Sequence, residues 1–347
     1  MSTPVHLVGS VALDSPEEVF AAVGKLLGPC LKRVPDGEPG GRRMWVSWQI
    51  PLLRAHPDLV PVQPSGEEGY RLIPLQLREG VRPEDLHFGE LGYAREARTS
   101  YQDFLAARRA GTLPAAVRFQ VCLPTPYAAI ALFCVPGDAP KILPAYEQAM
   151  LREVERITAA IPHQDLALQW DVCVEMLQWD GRWPVTPTFP GMEQVYAAMF
   201  RRLSQAVPED VELGFHLCYG DVDAAHLVEP VDATKMVELA NLITDNAGRP
   251  VAYVHMPVPV SRTDDAFYAP LSQLRLPAGT ELYLGVVHVS DGVEGTRKRM
   301  AVAGKYAPVF GIASECGISR GRHPDLATEF LRVYAAAAEA GPAGARS

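Results

Sequence analysis

The six cysteines at positions 30, 122, 134, 173, 218 and 316 form no CxxC pair and no close spacing. A disulfide-framed secreted fold and a zinc-ribbon array are therefore excluded, and the cysteines are expected to be free thiols or metal ligands. No run of Lys and Arg stands out in a chain whose formal net charge is −9, which argues against nucleic acid or an anionic membrane as a main partner. No apolar stretch reaches the roughly 18 residues that span a bilayer, and Met1-Ser-Thr-Pro-Val-His opens no signal-peptide pattern; a cytoplasmic protein is expected. The chain also lacks an internal repeat and a glycine-rich turn after its first apolar run. That turn is missing where a doubly wound nucleotide-binding sheet would carry it, in Leu7-Val-Gly-Ser-Val-Ala.

What is present is a recurring unit. Eight apolar, β-rich runs end in polar or Gly/Pro residues, at 5–10, 31–36, 117–124, 166–175, 211–221, 251–259, 281–290 and 309–317. Continuous apolar strands suit a sheet buried on both faces, hence a parallel one. Helical spacing appears between many of them, at 15–27, 142–161, 192–207, 233–246, 295–306 and 324–338. The first of these opens Ser15-Pro-Glu-Glu, a cap followed by Pro in the first turn. Eight strand–helix units in 347 residues, 48% of them hydrophobic, predict one α/β domain over 1–347, a single (β/α)8 barrel. Residues 42–112 read as an insertion after strand two that packs over the mouth, with Trp45, Trp48, Tyr70 and Tyr93 either lining it or joining the core. Residues 335–347 read as an Ala/Gly-rich tail.

A barrel gathers the C-terminal ends of its strands at one mouth, so the polar residues there become neighbours. The fifth run carries His216 and Cys218 two apart, on one side of a strand, and the eighth brings Cys316 beside Glu315 and Gly317. Imidazole and thiolate are both good zinc ligands, although a His-x-Cys pair alone is also common in a core strand. The fourth run carries Asp171 and Glu175, four apart and so on one face, as proton carriers, amine holders or partners of an arginine. Glu38 sits in a Gly/Pro turn with Asp36, and Gly9 and Ser10 offer backbone NH groups to a carboxylate. His255 ends the sixth run as a ligand or proton donor; His288 and Asp291 end the seventh as an acid/base pair.

Together, His216-Leu-Cys218-Tyr, Glu315-Cys316-Gly317 and Leu168-Gln-Trp-Asp171 resemble the catalytic domain of cobalamin-independent methionine synthases. That superfamily also holds uroporphyrinogen decarboxylase and the epoxyalkane–coenzyme M transferases. The resemblance runs in strand order over nearly the whole chain, and it implies a stand-alone catalytic barrel. It implies Zn2+ on His216, Cys218 and Cys316, and a homocysteine-like substrate held by Gly9, Ser10, Glu38 and Asp171. It also implies alkyl transfer from folate or another donor to a small-molecule thiol. Where the family places a glutamate as fourth zinc ligand, this chain has His255-Met-Pro-Val-Pro, so either His255 replaces it or the ligand comes from elsewhere. The family's Asp-x-His arrangement near strand seven is here His288-Val-Ser-Asp291, and its folate-stacking Trp has no clear match near Cys122. A metal-free decarboxylase or lyase on the same barrel, and a non-catalytic thiol-binding relative, are the other readings.

Overall fold

The computed structural model describes residues 2–62, 73–222, 224–320 and 323–339. Its strands are β1 (Arg33–Pro35), β2 (Leu59–Pro61), β3 (Leu75–Leu77), β4 (Arg118–Pro124), β5 (Leu166–Val172), β6 (Glu212–Leu217), β7 (Tyr253–Pro257), β8 (Glu281–Val287) and β9 (Gly311–Ser314). Seven of them form one sheet in the order β1-β4-β5-β6-β7-β8-β9, every neighbouring pair parallel. β2 and β3 form a separate antiparallel pair. Strand order thus follows chain order, and each return leg is available for a covering helix.

The regular sheet has seven strands rather than the eight expected, and the missing one is the first run. Residues 5–11 form only isolated bridges, but to both edges of the sheet: Val5 pairs with Leu31 and Ile312, Ser10 with Gly37, and Val11 with Ile318. Backbone bonds from His6 N to Ile312 O (2.9 Å) and from Val11 N to Gly37 O (2.9 Å) hold the segment in place.

The helices lie where the 3.6-residue spacing puts them, at Pro16–Leu27, Ala139–Ala160, Met192–Gln205, Thr234–Asn246, Gly292–Ala303 and Pro324–Glu339. Ser15 caps the first of these by accepting from the Glu18 amide, with Pro at the first turn. The last one, expected over 324–338, runs into the segment expected as a tail. Residues 335–339 are helical, with Ala337 and Ala338 buried, and the remainder of 335–347 lies outside the described residues. The segment 42–112 divides in two. A 3-10 stretch at Gly40–Gln49 carries residues 44–47 to the cavity at the mouth, whereas the helix Tyr93–Arg109 joins the outer layer and packs on Pro16–Leu27 and Ala139–Ala160.

Between sheet and helices lies one continuous apolar core, including Phe20, Trp170, Phe215 and Leu331. The inside of the curled sheet is polar at the N-terminal ends of its strands. There Arg33, 4% exposed, pairs with Glu212 and Glu281 and lies 4.4 Å over the Tyr253 ring. This ion cluster fills that end, and the cavity lined by Ser10, Asp171, His216 and Cys316 lies at the opposite, C-terminal end of the strands.

Candidate active site

A cavity of about 370 Å3 opens there. One wall is polar (Gly9, Ser10, Glu38, Asp171 and Arg320), the floor holds His216, Cys173, Cys218 and Cys316, and Met44, Leu132, Leu177, Trp183 and Leu227 supply apolar surface. Few polar groups converging in an apolar cleft is the usual form of a small-molecule site.

β6 places His216 in the register that leaves Cys218 one step beyond the strand end, where its amide bonds to Val172 O at 3.1 Å. β9 ends at Ser314 and delivers Cys316 from the other side. One nitrogen and two sulfurs from these three residues lie within 4.8 Å of one another, all buried. Cys218 Sγ is 3.6 Å from Cys316 Sγ, and Cys316 Sγ is 3.7 Å from His216 Nε2. A tetrahedral zinc ion, with bonds of about 2.3 Å to sulfur and about 2.0–2.1 Å to nitrogen, sets edges of about 3.8 Å and about 3.6 Å between such ligands. The donor set and two of its three spacings therefore suit zinc, the third pair lying within 4.8 Å, with a fourth position left over. Each sulfur also accepts one N–H: Cys218 from the Gly220 amide and Cys316 from Arg320 Nη2, both at 3.3 Å.

Contact with Cys173 and burial push the Cys218 thiol well up, and contact with Cys218 followed by burial does the same for Cys316. Neither would ionise at neutral pH without a compensating cation, which is the condition a metal supplies. Burial opposes the Arg320 charge, yet the adjacent Cys316 and Asp221 hold its pKa above that of an ordinary arginine. The sequence reading assigned neither Arg320 nor Cys173 to the site. Both sit at strand ends beside assigned residues, four after Cys316 and two after Asp171, and that position is the signal that would have found them.

Gly9, Ser10, Glu38 and Asp171, expected to share one site, line the same cavity. Gln169 donates to Asp171 Oδ1 (2.8 Å) and to Val8 O (2.6 Å), tying β5 to the N-terminal segment. Gly9 then passes close to Glu38; a Cβ on Gly9 would lie 3.1 Å from Glu38 Oε1, so the missing side chain makes room for the carboxylate. Glu38 has φ +52° and Trp45 φ +49°, conformations that cost non-glycine residues about 1–3 kcal/mol and tend to persist at working sites. Burial, then the charge of Asp171, push the Glu38 carboxyl up to about 8. Burial pushes Asp171 up to about 7, while bonds from Gln169 and the Trp45 indole, together with the charge of Arg320, pull it back. The Ser10 hydroxyl, 2% exposed, has no hydrogen-bond partner among the described residues.

Other expected residues stand elsewhere. His255 is outside the ligand group, with Nδ1 2.7 Å from His216 Nδ1 and Nε2 3.0 Å from Ser314 O. As the register partner of His216 it stands beside that ring, and with both nitrogens engaged in this way it offers none to the thiols, unlike the expected ligand. β5 stops at Val172, so Glu175 falls in the helix Val174–Asp180 and shares no strand face with Asp171. It accepts a bond from Thr125, burial lifts it to about 7, and it does not line the cavity. Asp291 accepts both Arg299 nitrogens, at 2.6 and 2.7 Å, and also lies off the cavity, so it is not placed as the expected acid or base. His288 donates from Nε2 to Val258 O (2.8 Å), and its Nδ1 is 3.9 Å from Glu315. Of the four aromatics, Trp45 lines the cavity, Trp48 and Tyr93 pack edge to face 4.9 Å apart, and Tyr70 lies outside the described residues.

No family model matches the chain, and no curated protein matches it by sequence. Solved structures do match. A candidate vitamin-B12-independent methionine synthase from Listeria monocytogenes superposes with TM-score 0.59 at 12% identity, covering 98% of each chain. A methyltransferase from Methanosarcina mazei gives 0.55 at 12%, over 98% of this chain and 94% of that one. A B12-independent methionine synthase from Shewanella sp. W3-18-1, solved in complex with selenomethionine, gives 0.50 at 14%, over 77% of this chain and 68% of that one. The chain shares the fold of these methionine-synthase-like proteins.

Proposed function

We propose that this protein is a zinc-dependent alkyltransferase that methylates, or otherwise alkylates, the thiol of a small amino-acid-like substrate. The observation that carries the reading is the buried group His216, Cys218 and Cys316, whose N and S atoms lie within 4.8 Å at the floor of the cavity. The shared fold supports it, as does the ligand of one neighbour, a selenium analogue of an S-methylated amino acid. In the same reading the ring is a (β/α)8 barrel whose first stave is the irregular segment 5–11, and 42–112 is the insertion that shapes its mouth.

His216 and the two cysteines would hold the ion, and zinc there would keep a substrate thiol ionised near neutral pH. Glu38 and Asp171, two carboxylates each lifted by burial, form a pocket that an ammonium group relieves by supplying the missing positive charge. The Ser10 hydroxyl, lacking a partner among the described residues, and the neighbouring backbone are placed to take a substrate carboxylate. Such anchoring aims the sulfur at the alkyl carbon. The new S–C bond forms as the donor's bond to carbon breaks, and the electron pair leaves with the donor. His288, behind Glu315, is assigned no step.

Metal content of the purified, reduced protein tests this. About one zinc per chain is expected, falling to near zero in Cys316→Ser with an unchanged circular dichroism spectrum. A folded wild-type protein that takes up no zinc would overturn the reading and favour the metal-free decarboxylase or lyase alternative.

A further inference from the structure

The pairing of His216 with His255 leads to a conclusion about which nitrogen faces the thiols. A carbonyl oxygen only accepts. The 3.0 Å contact of His255 Nε2 with Ser314 O therefore places a proton on that nitrogen. A neutral imidazole carries one N–H, so His255 Nδ1 is a lone pair. That lone pair faces His216 Nδ1 at 2.7 Å, a distance that two lone pairs or two N–H groups would not adopt. His216 must supply the N–H, and its Nε2, 3.7 Å from Cys316 Sγ, is left with the free lone pair.

We infer that His255 is a positioning residue that fixes His216 in its Nδ1–H tautomer and so presents His216 Nε2 to the ligand group. The chain runs Ser314 O, His255, His216, and ends at the two thiols. It starts and ends on β9 and its exit, since Ser314 is two residues before Cys316. The segment that carries one thiol thus also orients the imidazole facing it. His255 is fully buried, which keeps water from competing for either bond. Metal-ligating histidines usually hold the second ring nitrogen in such a bond, and losing the partner typically costs 10–100-fold in metal affinity. The inference rests on the zinc reading for the affinity measurement only.

Two measurements test it. In the metal-free, reduced wild-type protein, long-range 1H–15N correlation of the histidine rings is expected to show Nδ1–H for His216 and Nε2–H for His255. His216 found as Nε2–H would overturn the inference without any reference to zinc. In competition titrations with a zinc chelator, His255→Ala is expected to bind zinc about 10–100-fold more weakly. His255→Asn, whose side-chain oxygen can accept near the Nδ1 position, is expected to recover most of the loss. Wild-type affinity in a folded His255→Ala would also overturn it. If that variant does not fold, the wild-type spectrum decides. The inferred tautomers in a protein that takes up no zinc would sink the metal reading and leave this one standing.

Discussion

Replacing Glu38 by Gln removes one of two buried carboxylates while keeping its shape. In the wild type Glu38 titrates near 8 and Asp171 near 7. Against an ordinary value of 4.5, the rise at Glu38 corresponds to about 5 kcal/mol at 1.4 kcal/mol per pH unit. Glu38 is partly open to the cavity, and water there screens the charge, so about 2 kcal/mol is a fairer figure. The sign follows from proton binding. Between about pH 4.5 and pH 8 the folded chain keeps a proton that the unfolded chain has lost, so stability is fully present at the acid end and declines as pH rises. Gln has no such proton. From pH 5 to 8.5 the wild-type melting temperature is therefore expected to fall relative to Glu38→Gln by about 3 °C, given the unfolding entropy of a chain this long. Scanning calorimetry at half-unit pH intervals reads it directly, and titrating groups other than Asp171, whose charge acts on Glu38, cancel because both proteins carry them. Parallel curves would refute the argument. A methionine-like amino acid adds a second arm, since its ammonium should stabilise the wild type more than the variant, and more so at pH 8 than at pH 6.

Asp171→Asn is expected to weaken binding of such a ligand at least about 10-fold by calorimetry while zinc content stays unchanged, because a bond to a charged group is worth about 1.5–3 kcal/mol. Asp291→Ala leaves the fully buried Arg299 guanidinium without its carboxylate and is expected to cost about 3 kcal/mol of stability in denaturant titrations; loss of zinc instead would give Asp291 a place in the site. Gly37→Ala meets both a φ of +81° and a Cβ only 2.6 Å from Val19 Cγ2, so a loss of about 1–3 kcal/mol is expected, and a neutral result would show that the turn can relax.

Seven of the eight apolar runs contain a strand of the sheet, because continuous burial on both faces leaves an unmistakable trace in composition. The first run, expected as a strand, forms only isolated bridges, since its bonds alternate between two neighbours and no regular ladder develops. Within the site, the two-residue period correctly gave His216 and Cys218 a common side, and strand order brought Cys316 to them. The period says nothing of height along the ring axis, however. His255 is level with His216, yet its two ring nitrogens meet His216 Nδ1 and Ser314 O instead of the thiols. Strand ends were the other blind spot: β5 gives way to helix after Cys173, which separated Glu175 from Asp171. Arg320 leaves no such trace, since only the fold sets its guanidinium 3.3 Å from Cys316 Sγ.

The bridges from Val5 to Leu31 and from Val5 to Ile312 have a consequence for how the chain reaches its final shape. The first joins residues about 26 apart, while the second joins residues about three hundred apart, among the most distant pairings the chain can make. During synthesis the early staves can assemble in order, each on the one before, but the ring stays open until the segment around 312 has emerged. Until then the last formed edge offers unpaired backbone to other chains. Because Cys316 follows closely on that closing strand, the group of His216, Cys218 and Cys316 is completed by the same event that joins the two edges. A zinc ion present at that moment would act as a latch on the last and slowest contact.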